Sequence, residues 1–297
     1  MKKIPVIIDC DPGVDDLLAL KIAFGSPLLD IRLVTSVAGN VSIENTTNNA
    51  VYLTKTFGGD IPVAKGFTAP GGFKDASNVH GATGLGGFSV PELGYSSEQT
   101  DAVTAIFDEL SASDEKVTLL TLGPLTNIAM LIREYPGICA KIERIYAMIA
   151  SIDGTGNVDD NAEFNAHCDP EALDTVIKSG MEIVFAPMHL GREAKLPCSA
   201  ILDRGTGELR EMLECIFGGY KDSAAGDGFV AMYDANAVEA LIRPELYRFV
   251  RCRPTVNTTD SPGRTFLIPD GEGKCEYVEI RELSMLQSAM LDDIFAD

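Results

Sequence analysis

The sequence predicts an α/β fold with an open, mainly parallel, twisted sheet flanked by helices. Short apolar runs alternate with amphipathic stretches between residues 4 and 190, which is typical of strands that alternate with helices around a parallel sheet. The polar motifs richest in chemical groups come directly after the apolar runs. Since ligands bind at the carboxyl ends of the strands in such sheets, we expect the active site there.

The individual elements follow from the length and spacing of these runs. Short runs rich in β-branched residues predict strands at Ile4–Asp9, Ile31–Val37, Val117–Leu122, Ile142–Ile149 and Glu182–Pro187. Amphipathic stretches predict helices at Asp15–Phe24, Ile43–Phe57, Pro124–Glu134, Pro170–Ser179 and Arg281–Phe295. Pro124 and Pro170 suit a first helical turn, where a missing N–H costs little. No shift in composition marks a boundary, so we expect a single domain over residues 1–297.

Two segments lack this periodicity. Gly66–Gly94 is rich in Gly and Ser and contains two prolines, and Lys221–Gly228 reads K-D-S-A-A-G-D-G. A long stretch without periodicity inside a compact domain is typically functional. We predict loops in both places.

Composition and charge exclude several classes of protein. Of the 297 residues, 45% are hydrophobic and 23% are charged, which excludes a disordered or fibrous chain. The formal net charge of −20 disfavours binding to nucleic acid or to an anionic membrane surface. No apolar run reaches the roughly 18 residues of a membrane span. Seven scattered cysteines without paired spacing indicate reduced thiols and disfavour zinc and iron–sulfur sites, so we expect a cytoplasmic protein.

The sharpest motif is D-C-D-P-G-V-D-D at residues 9–16, directly after an apolar run. Its four carboxylates repel one another unless a cation or protonation compensates. Acidic residues at a turn and a helix N-terminus are the alternative interpretation, but four of them around Pro-Gly favour a metal site. Asp234 also follows an apolar stretch, and the Leu122 carbonyl ends a predicted strand. Carboxylates, a carbonyl and water are typical ligands of calcium.

Four blocks of the sequence resemble the inosine–uridine nucleoside hydrolase family. The D-x-D-P-G-x-D-D start at residues 9–16 resembles the signature of that family, and the other blocks occur in its order. These are A-G-N at 38–40, G-P-L-T-N at 123–127, and A-E-F-N at 162–165 with D-P-E-A at 169–172. The resemblance extends over roughly residues 4–250. It implies the Rossmann-like fold of that family and hydrolysis of the N-glycosidic bond of ribonucleosides to free base and ribose.

The resemblance also implies roles for individual residues. The calcium ligands would be Asp11, Asp16, the Leu122 carbonyl and Asp234. Asp11 would in addition accept the proton of the attacking water. The ribose-binding residues would be Asp15, Asn40, Met148, Asn157, Glu163 and Asn165. A homodimer or homotetramer is implied as well.

The chemistry of these residue types supports the same reaction. Breaking a glycosidic bond builds positive charge on the sugar, and carboxylate and amide oxygens stabilise that charge. Water on a metal ion beside a carboxylate is a competent nucleophile. Glu163 and Asn165 lie two apart in the sequence, which predicts one side of an extended segment.

The base side departs from the family pattern. Tyr233 stands where many members carry histidine, and a phenol is the poorer proton donor at neutral pH. It could stack on the base or donate a hydrogen bond to it. His80 is the second candidate, in H-G-A-T-G-L-G, where Thr83 replaces the aspartate of the family. We therefore take Asp11, Tyr233 and His80 as the candidate catalytic residues.

Several alternatives stay open at this stage. Asn40 could cap the next helix, Met148 could be a core residue, and His80 could serve packing. His167 and His189 are interpreted as structural. For the whole chain, Asp9-x-Asp11 after a strand also fits a haloacid-dehalogenase-like phosphatase with Asp9 as nucleophile. Tyr233 and Thr83 also allow a protein that binds a riboside without cleaving it.

Overall fold

The computed structural model describes residues 2–91, 100–158, 160–219, 226 and 228–296. Its strands are β1 Ile4–Cys10, β2 Leu29–Ser36, β3 Val63–Ala64, β4 Val117–Thr121, β5 Ile142–Met148, β6 Ile183–Ala186, β7 Leu196–Pro197, β8 Phe229–Val230, β9 Tyr247–Val256, β10 Thr265–Pro269 and β11 Cys275–Ile280. Its α-helices are α1 Val14–Gly25, α2 Ile43–Leu53, α3 Ser77–His80, α4 Ala102–Ala112, α5 Thr126–Glu134, α6 Phe164–Cys168, α7 Pro170–Lys178, α8 His189–Glu193, α9 Cys198–Arg204, α10 Gly207–Gly219, α11 Tyr233–Ile242 and α12 Leu283–Asp293.

Nine of the described strands form one sheet in the order β10-β9-β11-β6-β5-β4-β1-β2-β3. The pairs from β3 across to β11 are parallel, and β9 pairs antiparallel with β10 and β11. The chain builds outward from β1 through β2 and β3, then returns to the other side of β1 with β4. The crevice between the ends of β1 and β4 is thus a topological switch point, where ligands bind in such sheets.

Alternate side chains of β1 enter two apolar layers, one on each face of the sheet. Val6 and Ile8 pack with buried residues of α1, α11 and α12. Ile7 packs on the other face with buried residues of α4, α5 and α7. A strand that is covered on both faces consists of a near-continuous apolar run, which is why β1 can be predicted from the sequence.

The predicted fold class is confirmed, and the five predicted strands are present with ends shifted by one or two residues. The helix predicted at Ile43–Phe57 ends earlier, at Leu53, and continues as a π-helical turn over Thr54–Gly58. The helix predicted from Pro124 begins at Thr126. The predicted loop Gly66–Gly94 contains α3, and its residues 92–94 lie outside the described residues. Most of the predicted loop Lys221–Gly228 also lies outside them.

In the described part of the chain, no helix combines the length and the apolar character that crossing a membrane requires.

A buried carboxylate of α11 predicts how stability depends on pH. Glu239 is 0% exposed, and its Oε2 lies 3.7 Å from Nε of Arg243, which also pairs with Asp293 of α12. Burial, followed by the charge of Asp293, raises the pKa of Glu239 to about 8. The native state therefore keeps a proton that the unfolded chain has released above about pH 4.5, so stability falls as pH rises from there to about 8.

We expect Glu239→Gln to remove this part of the pH dependence. The unfolding free energy of the variant minus that of the unsubstituted protein should be about 2–4 kcal/mol larger at pH 8.5 than at pH 5.5, because only the unsubstituted protein loses stability over this range. Urea unfolding at both pH values measures this, with Glu134→Gln, at an exposed position of α5, as the matched control. An equal difference between the two proteins at both pH values would contradict the prediction.

Candidate active site

The acidic motif folds into a buried carboxylate cluster at the end of β1. The chain turns through Pro12 and Gly13 and enters α1, and the Gly13 N–H donates to Oδ2 of Asp16 at 2.9 Å. Asp15 and Asp16 thus lie in the first helical turn, where the helix dipole favours anions. Asp234 occupies the first turn of α11. One carboxylate oxygen from each of Asp15, Asp16 and Asp234 lies within 4.8 Å of the others.

This cluster carries more negative charge than its surroundings compensate. Burial raises the pKa of Asp16 to about 6. Burial and the neighbouring carboxylates raise the pKa of Asp11 and Asp234 well above the ordinary value. Oδ1 of Asp11 and Oδ1 of Asp16 are buried and accept no hydrogen bond. Buried oxygens without donors, in a set made only of oxygens, fit a hard divalent cation.

Asp11 is held from the neighbouring strands. Its Oδ2 accepts the Asn40 N–H at 2.8 Å. A Cβ at Gly39 would lie 2.0 Å from Oδ2 of Asp11, and one at Gly123 would lie 2.6 Å from its Oδ1. The A-G-N and G-P-L-T-N blocks therefore need glycine, because the carboxylate occupies the space of a side chain.

Asn40 binds the carboxylates rather than capping a helix. Its Nδ2 donates to Oδ2 of Asp16 at 3.0 Å and to the Asp11 carbonyl at 3.1 Å. The cap of α2 is Ser42, whose Oγ accepts the Asn45 N–H. The capping alternative for Asn40 is therefore wrong.

Asp9 lies behind the cluster. Its Oδ1 accepts hydrogen bonds from Thr35 and from Nδ2 of Asn127, the latter at 2.7 Å. Asn127 also donates to the Ser36 carbonyl at 2.9 Å. Burial raises the pKa of Asp9 to about 7. A carboxylate that is 1% exposed and hydrogen-bonded to Thr35 of β2 and Asn127 of α5 is poorly placed as a nucleophile, which argues against the phosphatase alternative.

Glu163 and Asn165 lie at the start of a short helix, so the prediction that they share an extended segment is wrong. Glu163 is the N-cap of α6. Its Oε1 accepts the Asn165 N–H at 2.8 Å, and its Oε2 accepts the Ala166 and Ala150 N–H groups at 3.0 Å each. Ala150 adopts a φ of 79°, which aims its N–H at the carboxylate. Burial outweighs these donors and raises the pKa of Glu163 to about 7.

Asn165 joins the ends of β4 and β5. Its Nδ2 donates to the Leu122 carbonyl at 2.8 Å and to the Met148 carbonyl at 3.0 Å. Because a carbonyl oxygen has two lone pairs, Leu122 can still bind a cation. Met148 is 4% exposed, and Asn157 is exposed.

His80 and Tyr233 approach the cluster from outside the sheet. Nδ1 of His80 accepts the Val14 N–H at 3.2 Å and lies 3.9 Å from Oδ1 of Asp15. Tyr233 is the first residue of α11, and its hydroxyl oxygen accepts a hydrogen bond from Nε of Arg192 at 3.3 Å. Sequence reasoning missed Arg192, whose only signal is a basic residue shortly after a parallel strand.

A cavity of about 720 Å³ brings these groups together. Of the predicted site residues, all except Asp11 and Asp16 line it: Asp15, Asn40, His80, Leu122, Met148, Asn157, Glu163, Asn165, Tyr233 and Asp234. His167, which we interpreted as structural, also lines the cavity, whereas His189 is not among its lining residues. An oxygen-rich floor below a cavity of this size can hold a cation together with a small polar molecule.

Comparison with known proteins agrees with this geometry. The family model described as inosine-uridine preferring nucleoside hydrolase matches residues 6–285. A non-specific ribonucleoside hydrolase RihC from Klebsiella pneumoniae is 37% identical over 275 residues, which is 92% of this chain and 90% of the relative. One from Salmonella paratyphi B is 38% identical over 279 residues, or 91% and 88%.

Solved structures show the same fold. A plant nucleoside hydrolase superposes with a TM-score of 0.88 at 26% identity and covers 99% of both chains. A purine-preferring ribonucleoside hydrolase from Gardnerella vaginalis gives 0.87 at 25% identity over 98% of both. The chain thus belongs to the inosine–uridine preferring nucleoside hydrolase family and is a nucleoside N-ribohydrolase, as its sequence predicts.

Proposed function

We propose that this chain hydrolyses common ribonucleosides with a bound calcium ion. The observation that carries the proposal is the buried group of Asp15, Asp16 and Asp234 at the floor of the cavity, with carboxylate oxygens that lack donors beside it. Asp11, Asp16, Asp234 and the Leu122 carbonyl would hold the ion. Asp15 lies in the same group, so it would contact either the ion or a ribose hydroxyl. Calcium, when bound, supplies a Lewis acid that orients hydroxyl groups and makes water more acidic.

The chain's own residues then account for the sugar chemistry. Oδ1 of Asp11 accepts no hydrogen bond from the protein and is available for the proton of the attacking water. Asn40 fixes the other oxygen of Asp11 and so orients it. Glu163 and Asn165 hold the ends of β4 and β5, against which the remaining ribose hydroxyl would bind together with Met148 and Asn157. The carboxylates stabilise the positive charge that develops on the ribose.

The test is a chromatographic assay for free base and ribose. We expect the calcium-loaded protein to cleave inosine, adenosine, guanosine, uridine and cytidine at different rates, and EDTA to abolish cleavage. Deoxyinosine should react far more slowly because it lacks one of the two oriented hydroxyls. Retention of ribosides without base release would identify a binding protein and contradict the proposal.

We also propose a single-domain subunit over residues 1–297, assembled as a homodimer or homotetramer in the cytoplasm. Continuity of one sheet from β10 to β3 supports the single domain. Seven free cysteines support a reducing compartment. Light scattering after size-exclusion chromatography would measure the assembly.

A further inference from the structure

Arg192 and Tyr233 form a part of the cavity wall that the proposed ribose site does not use. The carboxylates and Asn165 serve the ion and the sugar, so the base lies against the remaining lining residues. Tyr233 directly precedes Asp234, which places its ring beside the proposed metal site. Arg192 is half-buried and lines the same cavity.

Helix α8 holds Tyr233 at two points. Nε of Arg192 donates to the Tyr233 hydroxyl oxygen at 3.3 Å. A Cβ at Gly191 would lie 2.1 Å from Cδ1 of Tyr233, so the ring packs directly against the backbone of α8. Because the hydroxyl oxygen accepts from a guanidinium, its O–H points away from Arg192 and can act only as a donor, and the neighbouring positive charge strengthens that donor.

We propose that Arg192 is a positioning residue that holds the Tyr233 hydroxyl as a hydrogen-bond donor to the departing base. This inference rests on the proposed function. When the C1′–N bond breaks, its electron pair stays on the base nitrogen, while the water oxygen bonds to C1′ and gives its proton to Asp11. The departing base carries negative charge until it takes a proton from solvent. The Tyr233 hydroxyl stabilises that charge in the transition state.

Two other polar side chains of the cavity wall, His80 and Lys74, are less suited to this role. Nδ1 of His80 accepts the Val14 N–H, so the ring can donate only through Nε2, and its Nδ1 lies 3.9 Å from Oδ1 of Asp15, in the group assigned to the ion and the sugar. Lys74 is exposed. Arg192 combines a full positive charge, partial burial and a direct contact with Tyr233.

The test compares two substrates in one variant. Inosine releases a poor leaving group, whereas p-nitrophenyl β-D-riboside releases an anion that is stable without a donor. We expect Arg192→Met to lower kcat for inosine about 100-fold with a KM changed by less than about threefold. For the p-nitrophenyl riboside, the loss should be below about fivefold. The ratio of the two activities does not depend on how much of the variant folds. Arg253→Met, at a side chain 74% exposed, is the matched control.

A coupling measurement separates positioning from a general structural effect. In a Tyr233→Phe background, Arg192→Met should lower kcat for inosine by less than about threefold, because its target hydroxyl is absent. Equal losses on both substrates, no loss on inosine, or a full loss in the Tyr233→Phe background would each overturn the inference. Failure of the unsubstituted protein to release any base would instead overturn the proposed function, so the two failures are distinguishable.

Discussion

Asp234→Asn should lower the rate of inosine hydrolysis by about a thousandfold or more. The substitution keeps the shape of the side chain but removes one of three buried carboxylates whose oxygens lie within 4.8 Å of one another. A metal ion contributes several kcal/mol of charge stabilisation, and about 4 kcal/mol corresponds to a thousandfold in rate. Steady-state kinetics in saturating calcium measures the loss.

The same variant should change the response of stability to calcium. Metal-free Asp234→Asn should unfold at a higher temperature than the metal-free unsubstituted protein, because it relieves repulsion with Asp15 and Asp16. Added calcium should then stabilise it far less. Thermal unfolding with calcium and with EDTA measures both effects, with Asp108→Asn, at an exposed position of α4, as the control. Normal activity and a normal calcium shift in Asp234→Asn would refute the metal site.

Replacement of Glu163 should have the largest effect on stability. Its carboxylate accepts the N–H groups of Ala150, Asn165 and Ala166 in a buried environment. Each buried N–H left without an acceptor costs about 1–3 kcal/mol, so we expect Glu163→Ala to lose about 3–6 kcal/mol of unfolding free energy. Since that is a large share of the stability of an ordinary domain, the alanine variant should express poorly.

Glu163→Gln keeps one acceptor oxygen and allows a measurement on folded protein. We expect Glu163→Gln to lose less unfolding free energy than Glu163→Ala, and to have a raised KM for nucleosides. The reason for the raised KM is that Asn165 loses the carboxylate that orients its backbone. Urea unfolding and kinetics measure these, with Glu143→Gln, at an exposed position of β5, as the control. A glutamine variant as stable as the control would show that the cap is dispensable.

The place of the proposed ion- and ribose-binding residues was predictable because several of them follow buried strands in the sequence. Asp11 comes directly after β1, and the Leu122 carbonyl follows β4, so strand prediction alone places them at one sheet edge. Asn40 was ambiguous between two roles until the structure showed Ser42 as the cap. The order of the strands, with the switch point between β1 and β4, then brings these groups together.

Tyr233 and His80 were predictable as base-side candidates, but the contact of Tyr233 with Arg192 was not, because it joins residues far apart in the chain. Arg192 and Tyr233 lie 41 positions apart and on different helices.

The helix that Glu163 caps was not predicted, because a short helix of five residues leaves too little periodicity to detect. The antiparallel strands β9–β11 were also missed. Pro254 and several arginines interrupt the apolar character of β9, which lies close to the edge of the sheet.

The cavity has a buried floor and a half-buried rim, and this difference has an evolutionary consequence. Most of the residues proposed to hold the ion and the ribose are buried and hydrogen-bonded to one another or to strand ends, so a substitution at one of them disturbs its neighbours. Tyr233 and Arg192 are half-buried and pair with each other. Substitutions at the rim can therefore change which base is accepted while the buried floor stays the same. Substrate range can then change during evolution without a variant along the way that fails to fold.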